Sequence, residues 1–196
     1  MRTPEKTPSS TSAATSPQPA GTRHSWRYLP ALVGLAVAVS QILTGVDTEG
    51  VAITVTAAAS CYLAAAALGR PWVAWAGILV SSLAVVLSEL AGIPWWVGLA
   101  GYAVVLVGVG LRGPTPRRVL ADQSLALLGF GGLAVAAVLI SPQLGLALAG
   151  LTLVSHALWD YRHWRRDDVV SRGLAEFCFL LDVPLGAAAV ALALST

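Results

Sequence analysis

Charge is the scarcest property of this chain. Twelve Lys and Arg and ten Asp and Glu make up only 11 % of 196 residues, where soluble domains carry roughly a quarter. Together with a 56 % hydrophobic content and a mean hydropathy of +0.74, that shortage excludes a soluble globular domain and places the chain in a membrane. Cysteine is nearly missing as well. Cys61 and Cys178 both fall inside apolar stretches, which excludes a disulfide framework and paired CxxC metal ribbons. There is no Gly-rich nucleotide loop, no HExxH and no GxSxG, so the motifs that would name a reaction outright are absent.

Apolar runs are abundant. They cover about 29–45, 51–69, 72–91, 94–111, 123–140, 143–161 and 174–194, each near the ~20 residues that a helix needs to cross a bilayer. Turn-forming stretches separate them, such as "AGIP" at 91–94, "RGPTPRR" at 112–118 and "RRDDVVSRG" at 165–173. The expected fold is an all-α polytopic membrane bundle of about seven transmembrane helices, residues 28–196. Before it, residues 1–27 are rich in Ser, Thr, Pro and Ala and read as a disordered cytoplasmic tail. The first apolar run begins too late and runs too long for a cleavable signal peptide.

Orientation follows from the cations. Arg2, Lys6, Arg23 and Arg27 precede the first run, Arg70 follows the second, Arg112, Arg117 and Arg118 follow the fourth, and Arg162, Arg165, Arg166 and Arg172 follow the sixth. All lie on one side, which the positive-inside rule makes cytoplasmic. The amino terminus is then inside and the carboxyl terminus outside, in a multi-pass protein of the cell membrane. The basic clusters are short and abut the runs, so they set topology and meet headgroups; no nucleic-acid partner is expected. Small residues recur through the runs, as close helix packing in lipid requires.

Polar residues at bilayer depth are costly and mark function by default. The sixth run contains His156, Asp160 and His163 in "HALWDYRH". At 100° per residue these three fall within a stripe of ~60° on one helix face. That spacing lets imidazoles and a carboxylate share a metal, relay a proton or orient one another. The seventh run returns antiparallel with Asp182 and Cys178 four apart on one face, and Pro184 two residues beyond Asp182. Counting ~1.5 Å per residue, His156 and Asp182 share a deep tier, with Asp160, His163 and Glu176 nearer the mouth. Glu176 is expected to pair with Arg172 at i−4. Glu89, near the outer end of the third run, is a further candidate acid. Asp122 reads as an N-terminal helix anchor, and Asp167 and Asp168 as solvated loop acids.

The expected catalytic residues are Asp182, His156, Asp160 and Glu89. Arg165 and Arg166 suit an anionic headgroup or diphosphate, with Cys178 beside the substrate. The residues leave open whether a divalent metal is the cofactor. If one binds, His156, Asp160, His163 and Asp182 are its ligands, although the arginines around His163 disfavour a cation there. In layout the chain resembles the small seven-span integral-membrane terpene cyclases. The likeness consists of span count, short loops and an acid on the third (Glu89) and seventh (Asp182) helices; "HALWDYRH" is not explained by it. It implies an enzyme of lipid or isoprenoid metabolism that protonates a prenyl chain, with a membrane lipid or prenyl substrate as partner. A proton- or metal-coupled transporter and a non-catalytic structural membrane protein are the alternatives.

Overall fold

The structure is a computed structural model that describes residues 26–195. The predicted tail, 1–27, lies outside the described residues as far as 25; Trp26–Tyr28 form a single 3-10 turn. Seven helices follow: α1 (Leu29–Thr44), α2 (Thr48–Leu68), α3 (Val73–Leu90), α4 (Trp95–Gly110), α5 (Arg117–Leu139), α6 (Pro142–Arg166) and α7 (Arg172–Ser195). No strand occurs among the described residues. Five segments, Trp26–Thr44, α2, α3, α5 and α7, are long and apolar enough to cross a membrane. The apolar α4 is shorter, and α6 carries the densest set of polar residues in the bundle.

Local signals explain the boundaries. Asp47 caps α2 by accepting a hydrogen bond from the Gly50 N–H at 2.9 Å, which satisfies an otherwise orphaned donor. Glu49 therefore lies in the first helical turn. Gly69 ends α2 in the left-handed region, φ 62°, where a side chain would be strained. Pro116 precedes α5, so that helix starts at Arg117 and not near 123. This corrects the reading of Asp122, which is exposed within the second turn and anchors no terminus.

The central helix is α2, packed by α3, α4, α5, α6 and α7. Its "AASCYLAAAA" run, residues 58–67, is buried on every side. Alanines suit such a helix because they let neighbouring backbones approach closely. Around it, α6 and α7 form an antiparallel hairpin joined by residues 167–171, with α1 lying on α7. The hairpin is tight where Gly150 meets Gly186: a Cβ added to either would come within 2.8 Å of the other's carbonyl oxygen. In the connection Val169 has φ 61°, an unusual backbone for a β-branched residue. It is held by the Val170 N–H donating to the Asp168 carbonyl at 2.7 Å and by burial of Val170 in the core. Trp95 is buried.

Candidate functional site

Four polar side chains meet in the centre of the bundle, and none reaches its surface. His156 and Asp160 project from α6, Asp182 from α7 and Tyr62 from α2; their exposures are 0 %, 0 %, 0 % and 1 %. One helical turn separates His156 from Asp160, so both face the core. The antiparallel return of α7 then sets Asp182 against His156 at the depth that the helical rise predicts. His156 Nδ1 lies 2.7 Å from Asp182 Oδ2 and 3.6 Å from Asp160 Oδ2. The Tyr62 hydroxyl donates to Asp160 Oδ1 at 2.6 Å. The edges of Tyr62 and Phe130 flank the imidazole, with ring centroids at 5.7 and 4.9 Å.

Hydrogen bonding is incomplete there. His156 Nε2, Asp160 Oδ2 and Asp182 Oδ1 are buried without a hydrogen-bond partner, a state that costs about 1–3 kcal/mol for each neutral group and more for a charged one. Among the described residues no arginine pairs with Asp160 or Asp182. Two carboxylates and one imidazole therefore depend on protons or a bound cation for charge compensation.

A second polar group lies one turn along α6. The Trp159 carbonyl sits 2.9 Å from His163 Nδ1, and Gln123 Nε2 sits 3.1 Å from His163 Nε2. Trp159 Nε1 donates to Gln123 Oε1 at 3.3 Å. The carbonyl can only accept and the amide Nε2 can only donate. This network therefore assigns a neutral ring with the proton on Nδ1 and the Nε2 lone pair in use. His163 is thus removed from the expected metal set, because its ligand electrons face α5 and not the centre.

The structure sorts the other expected residues plainly. Asp160 belongs with the deep tier, not the mouth. Glu89 is exposed on α3, which packs against α2 and α4, so it does not join the catalytic set. Arg165 and Arg166 are exposed at the end of α6, Arg165 lying over the Tyr161 ring at 5.8 Å; neither lines the buried centre. Cys178 is buried one turn from Asp182, in a cluster with Cys61 and Tyr62. Glu176 accepts from Trp164 Nε1 at 2.9 Å, while its expected partner Arg172 pairs with Asp167 at 3.4 Å.

Sequence reasoning missed Tyr62, Phe130 and Gln123. For Tyr62 and Gln123 a signal existed: a hydroxyl or amide inside an apolar run needs a partner when buried.

A groove of about 460 Å³ lies between α5 and α6. Its walls are Asp122, Leu125, Ala126, Gly129, Phe130 and Leu133 of α5 and Trp159 and Arg162 of α6. Leu125, Gly129 and Leu133 are exposed, so the groove opens on the apolar flank of the bundle. Phe130 forms part of the groove and also packs on His156.

Compared with protein-family models, with curated proteins and with solved structures, the chain matches none.

Proposed function

We propose that the chain is a multi-pass membrane enzyme acting on a lipid or isoprenoid substrate, with the His156–Asp160–Asp182–Tyr62 centre as its reacting group. In this reading all seven helices cross the bilayer, with the amino terminus cytoplasmic and the carboxyl terminus outside. The observation that carries it is Phe130. One ring separates the imidazole from an apolar groove on the bundle's flank, and an apolar groove with few polar groups behind it suits a hydrophobic substrate.

The chemistry is general acid–base catalysis. Asp182, sharing a proton with His156 Nδ1, gives it to an alkene or epoxide of the substrate, as in terpene-cyclase-like protonation. His156 and Asp160 take back the proton that the resulting cation loses, and Tyr62 fixes the Asp160 carboxylate. Arg162, over the Trp159 ring at 4.7 Å, stands at one end of the groove where a phosphate or diphosphate head would lie.

Turnover tests this directly. In liposomes made with the lipids that co-purify with the protein, Asp182→Asn and His156→Ala are expected to slow substrate consumption by about 10²–10⁴-fold, read by mass spectrometry. Wild-type rates in both variants would sink the reading. The complete closure of the centre favours a second reading, a structural membrane protein in which these residues bind helices together. Under it, both variants lose thermal stability while membranes with and without the protein have the same lipids.

A further inference from the structure

The same centre has the composition and spacing of a cation site. We propose that it binds one divalent transition-metal ion through His156 Nδ1, one oxygen of Asp160 and one oxygen of Asp182. One ligand atom from each residue lies within 4.8 Å of the others. Around a tetrahedral ion with bonds of ~2.0–2.2 Å, ligand atoms stand roughly 3.2–3.6 Å apart. The 3.6 Å from His156 Nδ1 to Asp160 Oδ2 already meets that spacing. The 2.7 Å contact to Asp182 Oδ2 is a hydrogen bond in the ion's place, and rotating the Asp182 carboxylate presents its unpartnered Oδ1 instead.

Three further observations point the same way. Asp160 Oδ2 and Asp182 Oδ1 are acceptors buried without donors, and a cation satisfies both. Two carboxylates balance a divalent charge, leaving the imidazole neutral as a ligand must be. Tyr62 holds the other Asp160 oxygen at 2.6 Å, the outer hydrogen bond that typically orients a ligating carboxylate. One nitrogen with two oxygens suits Zn²⁺, Mn²⁺ or Fe²⁺. The cluster of arginines at the end of α6 does not oppose this, because His163 is outside the ligand set.

The proposal gives a cofactor to the centre used in the enzyme reading and rests on that reading only for what the ion does. The full chain, purified in detergent with any affinity tag removed, is analysed for metal, stripped with EDTA and titrated with Zn²⁺, Mn²⁺ and Fe²⁺ while thermal unfolding is followed. The expected result is about one ion per chain and a rise in Tm on titration, as binding to the native state alone requires. Tyr62→Phe is expected to bind about 10–100-fold more weakly, and His163→Ala to keep full stoichiometry. A wild-type chain that takes up none of the three ions and shows no Tm shift overturns the site, whatever the variants do. Bound metal without lipid turnover retains the site and removes the enzyme reading. Lipid turnover in the metal-free chain removes the ion from the reaction and retains acid–base chemistry, while uptake and Tm alone decide the site.

Discussion

Tyr62 is the side chain on which the geometry of the centre turns. Among the described residues its hydroxyl is the only donor to Asp160 Oδ1, and its ring stands edge-on to both His156 and His163. Tyr62→Phe keeps the rings and removes one hydrogen bond, leaving a buried carboxylate oxygen without a donor. We expect it to lower unfolding stability by about 1–3 kcal/mol, measured by thermal or denaturant unfolding in detergent; no loss would mean that a water or another group replaces the hydroxyl. His156 and Asp182 were legible in the sequence because helical rise and turn convert spacing into face and depth, whereas for Asp160 the face was legible and the depth was not. Tyr62 was not, since a single aromatic residue in a run of alanines carries no sign of which neighbour it faces. The assignment of His163 went wrong for a related reason. Its stripe on α6 is real, but its partner Gln123 comes from α5, forty positions away in the chain, and no local pattern encodes that meeting.

Among the helices, the α6–α7 pair sets the precision of the site. Gly150 lies six residues from His156 and Gly186 four from Asp182, roughly 6–9 Å along the axes. The absence of Cβ atoms there allows the backbones to lie close enough for a 2.7 Å contact. Gly186→Val places a branched side chain against the Gly150 carbonyl and Val154. Overpacking of that kind is expected to cost about 1–3 kcal/mol and to reduce metal uptake and turnover together. Gly132→Ala on α5 is the contrasting variant. Nothing lies within 4 Å of an added Cβ there, so stability should hold or rise by about 0.5–1 kcal/mol. Equal losses from the two would show that α6–α7 spacing is not what the glycines protect. The small residues were readable as packing residues, yet which of them face a neighbouring helix depends on tertiary contact. The same limit applied to the start of α5, where the charged "RRVLAD" segment reads as loop by composition but Pro116 and helix propensity carry it into the helix.

For the whole molecule, helix number and order follow from the apolar runs, because lipid leaves a backbone no other way to satisfy its polar groups. The central place of α2 was less legible. Its share of apolar residues is no larger than that of α3 or α4; smallness, not hydrophobicity, puts it in the middle. The proposed topology makes a direct prediction. A membrane-impermeant maleimide should label Ser141→Cys in intact cells and Pro114→Cys only after permeabilisation, while the native Cys61 and Cys178, both buried, stay unreacted. The reverse pattern would invert the orientation.

In that topology the α6–α7 hairpin also dictates an order of events during synthesis. When α6 leaves the ribosome, His156 and Asp160 have no α7 beside them, and lipid gives them no partner. Tyr62 is already in place on α2 and can receive Asp160, but the imidazole has to wait for Asp182, which emerges a further 22 residues after Asp160. The last two helices therefore enter the bilayer as one unit, and the residues that form the centre also act as the checkpoint by which the finished bundle closes.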